Sequence, residues 1–254
     1  MKTRLLIAAA CLLLPLAIHA QIIEPFRPLY YTTGIPLSGP VDKTTADMKF
    51  QLSLAIPVAK DMGGHEGLDL KFGYSQVSVW DFYDESSPFK DNIYIPGVYL
   101  DIPLQKNALS VGFEHKSNGR PMRGTTADVS SRSVNYLFGE YTAFLPHGFA
   151  LRANLRGGIG WYDEELTQEI FYRFQGYATF SALWKNEKWS ARLDATPLFA
   201  PFDANITAEL AYSLGRASLF AQYHYGYDEA LCDCVRGIKP IPYFRIGILF
   251  GELF

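Results

Sequence analysis

The stretch MKFQLSLAIPV, residues 48–58, decides how this chain folds. Met48, Phe50, Leu52, Leu54 and Ile56 share one parity, while Lys49, Gln51 and Ser53 share the other. A period of two puts apolar side chains on one face of a strand and polar ones on the opposite face. The same alternation, broken by turn-forming residues, recurs at 29–33, 68–83, 93–104, 108–120, 132–145, 149–162, 170–184, 189–198, 204–214, 217–230 and 243–254, which makes twelve strands. Short connections at Gln105–Asn107, Pro146–Gly148 and Gly215–Arg216 fall at one end, and longer ones at Asp84–Asn92 and Pro121–Ser131 at the other.

Composition agrees with a wall that has one wet and one greasy face. The 254 residues include 16 Tyr, 18 Phe and 4 Trp, yet charged residues are only 19%. Mean hydropathy is −0.01, far below a helical membrane protein, so polar and apolar residues must be finely interleaved. A net charge of −3 and a pI near 6.0 give no footprint for nucleic acid. Residues 1–20 read as a secretory signal: Lys2 and Arg4, an apolar run from Leu5 to Ile18, and Ala20 before the cut at Gln21. Cys11 lies inside that run, which disfavours a lipoprotein. Beyond it no apolar run is long enough for a spanning helix.

An exported, aromatic-rich chain of this kind can cross a membrane only as a closed barrel. The expected fold is an all-β, transmembrane, antiparallel 12-stranded β-barrel. Its parts are a signal at 1–20, an N-terminal segment with the first strand and loop at 21–44, and the remaining barrel at 45–254. A soluble secreted β-sandwich is the rival and leaves the lipid-like faces unexplained. The final strand turns Phe244, Ile246, Ile248 and Phe250 outward and the chain ends on Phe254. Cys232 and Cys234 are too close in sequence for an unstrained bridge, and a metal site there would need further ligands, so their role in the loop stays open.

Polar residues on the lipid face carry the functional signal. Leu109, Val111 and Phe113 point outward, and by parity so do His115 and Ser117. On the next strand Leu137, Tyr141, Ala143 and Leu145 point outward, and Asn135 shares their parity. The three have the composition of a nucleophile (Ser117), a base (His115) and an orienting group (Asn135). A neutral amide also suits a place near hydrocarbon, where an ionised carboxylate would cost more desolvation. A polar rim just above a bilayer would present the same residue types. Gln76 is a further outward polar residue, following Leu70, Phe72 and Tyr74. A lone amide there needs a partner, for which a second subunit is one candidate and a lipid head group another.

KFQLSLA at 49–55, YSQ at 74–76, ESSPF at 85–89, HKSNGR at 115–120, SRSVN at 131–135 and GYDE at 226–229 form an ordered series. With these motifs the chain resembles the outer membrane phospholipase A family over residues 45–254. The resemblance implies a bacterial outer-membrane homodimer that cleaves phospholipid acyl esters with Ca²⁺, at either glycerol position and on lysophospholipids. It places the catalytic set on His115, Ser117 and Asn135. It also implies calcium ligands at the Arg120 carbonyl and Ser131 hydroxyl, with Ser86 from the second protomer, and a dimer contact at Gln76, Leu52 and Leu54.

Two features depart from the family pattern. Ser117 and Asn135 stand eighteen positions apart, about six more than usual, and the excess lies between Arg120 and Ser131. Val134 replaces the usual tryptophan, and the adjacent Ser130 is a second candidate for the metal serine. The rival functions are a non-catalytic barrel, an esterase for another lipid, and binding through the external loops.

Overall fold

The computed structural model describes residues 23–119, 132–160, 171–199, 202–231 and 240–254. Its strands are β1 (Leu29–Pro36), β2 (Asp47–Ala59), β3 (Asp69–Trp80), β4 (Phe89–Leu104), β5 (Asn107–Ser117) and β6 (Ser133–Phe144). They continue as β7 (Phe149–Ile159), β8 (Ala178–Lys185), β9 (Trp189–Phe199), β10 (Phe202–Ser213), β11 (Ala217–Tyr225) and β12 (Tyr243–Phe250). Each strand pairs antiparallel with its sequence neighbours, and β1 pairs with β12 to close the barrel. Closure leaves no sheet edge to be satisfied by lipid.

The parity expected from the sequence governs both faces. Leu52, Leu137, Leu193, Leu219 and Ile246 are exposed on the outer wall. Their partners in alternation, such as Lys49, Glu209, Gln222 and Arg245, are buried in the lumen. An outer wall of this composition is stable only against hydrocarbon.

Three elements end differently from the periodic reading. The eighth strand starts at Ala178 instead of 170, because Phe171–Gln175 forms a single π-helical turn. That turn folds into the barrel mouth, where Phe174 packs with Ile93, Ile95 and Leu231. Its carbonyl accepts from Asn205 Nδ2 at 2.7 Å. The eleventh strand stops at Tyr225, and Tyr227 N–H donates to Asn205 Oδ1 at 2.8 Å. A side chain on Gly226 would come within 2.7 Å of that same Asn205 oxygen, so glycine lets the GYDE segment turn inward. The last strand stops at Phe250; Gly251 has φ +82°, and Leu253 packs inside against Tyr30, Phe220 and Leu249. All three stretches contain apolar residues that the alternation assigns to a strand, but those residues cover the ends of the lumen and do not extend its wall. Cys232, Cys234 and the loop Pro121–Ser130 lie outside the described residues.

Charged side chains are paired across the lumen. Arg245 holds Asp47 through Nε and Nη2 at 2.8 and 2.6 Å, and Glu229 through Nη1 and Nη2 at 2.8 and 2.9 Å. Lys49 joins Glu229 at 2.7 Å and Gln222 at 3.1 Å, and Gln222 donates to Glu209 at 2.7 Å. Burial opposes ionisation of Glu229, but Arg245, His224 and Lys49 overcome it and hold the carboxyl well below the usual range. A polar cavity of about 160 Å³ remains beside Lys49, Glu209, Gln222 and Glu229, and one of about 260 Å³ lies beside Arg27, Glu114, Arg152 and Arg156.

Replacing Arg245 with Leu would strand Asp47 as a buried charge and leave Glu229 with Lys49 as its remaining close cation. We expect Arg245→Leu to destabilise the barrel by about 3–5 kcal/mol in urea unfolding from vesicles. A change below roughly 1 kcal/mol would show that water in the lumen already screens this cluster.

Candidate active site

The site is built by the ladder between β5 and β6. Its register places His115 opposite Asn135, Ser117 opposite Ser133 and Glu114 opposite Tyr136. Alternation turns Glu114 and Lys116 into the lumen, where Lys116 Nζ donates to Gln175 Oε1 at 2.7 Å. His115 and Ser117 share the opposite, outer face.

His115 Nδ1 lies 2.7 Å from Asn135 Oδ1. A carbonyl oxygen can only accept, so Nδ1 carries the proton of this contact, and in the neutral ring that tautomer places the lone pair on Nε2. Asn135 is only 5% exposed although Leu137, two residues on, is 56% exposed. The amide is therefore covered on a wall that is otherwise open, where a hydrogen bond is electrostatically stronger than in water. Among the described residues no hydrogen bond joins the Ser117 hydroxyl to the His115 ring in this arrangement. The ring holds its Asn135 partner and keeps its second nitrogen available.

One row of residues runs across the wall from this site: Leu52 opposite Gln76, Gln76 opposite Tyr94, and Tyr94 opposite Ser117. Gln76 is not the lone amide that its sequence context suggests. Tyr74 Oη donates to Gln76 Oε1 at 3.1 Å, and Gln76 Nε2 donates to Ser78 Oγ at 3.1 Å. Ser78 Oγ in turn donates to Asn92 Oδ1 at 2.7 Å. The polar ladder on this face is thus satisfied within one chain. Leu52 is exposed beside it and Leu54 partly so.

Above the site, the HKSNGR motif does structural work that periodicity does not reveal. Asn118 N–H donates to the Arg132 carbonyl at 3.1 Å, and Arg132 N–H donates to Asn118 Oδ1 at 2.9 Å. Gly119 has φ +62°, and a side chain there would meet the Tyr94 ring at 2.8 Å. The Asn-Gly pair is a recognisable turn signal, but Tyr94 carries none. This clamp draws together the two ends of the segment holding Arg120 and Ser131, which themselves lie outside the described residues.

Ser86 sits exposed in the turn between β3 and β4, at the same end of the barrel. Ser86 and Ser87 both adopt left-handed backbone, with φ of 64° and 42°. Such geometry costs about 1–3 kcal/mol per residue and needs support from its surroundings. Here Trp80 Nε1 donates to the Ser87 carbonyl at 2.7 Å, and Ser87 Oγ donates to the Phe82 carbonyl at 2.8 Å. No group of three or more His, Cys, Asp or Glu side chains converges as a metal cage among the described residues.

The phospholipase A1 family profile matches residues 30–242. A phospholipase A1 from Proteus vulgaris is 33% identical over 229 residues, covering 82% of this chain and 71% of that protein. One from Klebsiella pneumoniae is 33% identical over 106 residues, covering 38% of this chain and 35% of that protein. Several such matches span only about a third of the relative's length. The crystal structure of the Salmonella typhi outer membrane phospholipase, a dimer with bound calcium, shares the fold. Its TM-score is 0.76 at 21% identity, covering 93% of this chain and 95% of that one.

If Asn135 fixes the imidazole, its removal is visible without any reaction. In protein labelled with ¹⁵N-histidine, Asn135→Ala is expected to abolish the low-field Nδ1–H resonance of His115 while the barrel remains folded. Retention of that resonance would show that another group holds the ring.

Proposed function

The chain belongs to the phospholipase A1 family, and from that premise we propose that it hydrolyses acyl esters of glycerophospholipids at the outer face of a bacterial outer-membrane barrel. The observation that carries this reading is the 2.7 Å contact between His115 and Asn135 on the lipid-facing side, with Ser117 on the same face. Substrate would reach such a site by lateral diffusion and needs no pore. The side chains paired across the lumen also argue against a channel.

In the proposed reaction Ser117 Oγ attacks the ester carbonyl as His115 Nε2 takes its proton. Asn135 keeps the ring in the tautomer that allows this. The protonated ring then donates to the departing glycerol oxygen, leaving an acyl group on Ser117. Water, deprotonated by the same nitrogen, releases the fatty acid. The same steps serve either glycerol position and lysophospholipids, which extends the reading to phospholipase A1, A2 and lysophospholipase activity.

A calcium ion held by the Arg120 carbonyl, the Ser131 hydroxyl and a second protomer's Ser86 would supply positive charge to the oxyanion region. The exposed, strained turn that presents Ser86 and the clamp below Arg120 and Ser131 support this assignment. The requirement for two protomers would make association an activity switch. Leu52, Leu54 and Gln76 are the proposed contact, on the row that leads to Ser117. Residues 1–20 would be the cleaved export signal.

Fatty-acid release from mixed micelles tests the chemistry. Ser117→Ala is expected to lower kcat by roughly 10³-fold or more, and chelation of calcium to silence the wild type. Activity equal to wild type in Ser117→Ala would remove the nucleophile; activity indifferent to chelator would remove the metal and leave the nucleophile standing.

Association is tested separately by crosslinking in detergent. Because Gln76 is satisfied within one chain, Gln76→Ala should weaken dimerisation only modestly, and Leu52→Ala together with Leu54→Ala more strongly. Unchanged dimer yield in all three substitutions combined would move the interface elsewhere.

A further inference from the structure

The charged groups of the lumen include one cluster that none of the preceding chemistry uses. Glu114 is 2% exposed and stands directly behind His115 in the chain. Its carboxylate accepts from Tyr99 Oη at 2.6 Å, from Tyr136 Oη, and from the Arg27 guanidinium. The three donors come from β4, β6 and the N-terminal segment before β1.

The placement of Arg27 is itself built. Glu24 exchanges two backbone hydrogen bonds of 2.9 Å with Ala55, beyond the part of β2 that β1 covers. Arg27 N–H donates to Ser53 Oγ at 3.1 Å, and Ser53 Oγ lies 2.7 Å from Ser75 Oγ. Phe26 packs edge-on against Tyr99 with ring centroids 4.6 Å apart. The space for both rings exists because residue 73 is glycine: a side chain there would come within 2.5 Å of Tyr99 and 2.9 Å of Phe26.

We infer that Arg27 is a positioning residue for the His115–Asn135 pair, acting from the lumen through Glu114. The inference rests on the catalytic reading of His115 given above. Glu114–Tyr136 and His115–Asn135 are consecutive pairs of one ladder, tied on opposite faces of the same wall. The lumen tie holds β5 to β6 where the lipid-side tie needs a fixed spacing. Arg27 is the third donor to the Glu114 carboxylate and fixes it between its two phenols. The other cations lining the 260 Å³ cavity beside Glu114 have partners of their own: Lys116 with Gln175, Arg152 with Glu140 and Arg156 with Thr179. Only the Glu114 side of this ion pair is buried, and such a pair adds little stability over a well-packed apolar group, so its use here points to geometry.

The test compares the full-length folded protein with Arg27→Met, Arg27→Lys and the charge-free pair Arg27→Met with Glu114→Gln. Expected for Arg27→Met is a fall in kcat of about tenfold at a KM within about twofold of wild type, as a small misplacement of reacting groups produces. The His115 Nδ1–H resonance should weaken in parallel, and Arg27→Lys should restore most of both. Should Arg27→Met not fold, the charge-free pair carries the same comparison without an uncompensated charge. Wild-type kcat in a folded variant, an unchanged His115 resonance, or a loss through KM alone would overturn the inference. Hydrolysis surviving in Ser117→Ala would instead sink the catalytic reading, while the resonance still reports on the brace.

Discussion

The wall of this barrel is one strand thick, so Glu114 and His115 occupy different media although they are covalent neighbours. Glu114 faces a lumen rich in charges, where an ionised carboxylate can be paired; His115 faces the apolar side, where charge is costly. A neutral Asn is therefore the economical partner for the histidine: it fixes the ring without a second buried charge. The same division explains why the polar residues at 74, 76, 78 and 92 join into one ladder on the outer face. An unpaired amide or hydroxyl there would forfeit its hydrogen bond to water and gain none in return.

The lumen is the other half of that arrangement. Arg245, Asp47, Glu229 and Lys49 tie strands from opposite ends of the sequence. Phe174, Leu231 and Tyr227 fill the mouth above them, and Leu253 fills the base with Tyr30 and Phe220. A barrel needs such cross-links if a pair of side chains on its outer surface is to keep a hydrogen bond of 2.7 Å, because the outer side offers only mobile hydrocarbon for support. Rigidity for the outer site has to come from inside.

Much of this was legible from alternation because the period of a strand is a local property. All twelve strands, the outward parity of His115, Ser117 and Asn135, and the inward parity of Lys49 follow from neighbours two residues apart. What escaped is set by distant partners. Arg27 meets Glu114 across 87 positions and Lys49 meets Glu229 across 180. The inward turn of the GYDE segment depends on Asn205, and the partners of Gln76 alternate with it on its own strand face. That last case was open to inspection: Tyr74 and Ser78 share the parity of Gln76, and each can bond its amide. Alternation reads a polar residue as exposed or buried, but does not count the donors and acceptors within its reach.

The longer segment between Arg120 and Ser131 raises the question of whether extra residues disturb the pair below them. Loop closure becomes less favourable only slowly with length; about six added residues cost a few tenths of a kcal/mol. The two hydrogen bonds between Asn118 and Arg132 contribute about 1 kcal/mol each, which exceeds that cost. The ladder consequently runs without a shift from Asn107 opposite Ala143 to Ser117 opposite Ser133, and the clamp continues it by one more pair. The His115–Asn135 pair therefore stands two positions inside an unshifted ladder whose open end is tied by Asn118 and Arg132.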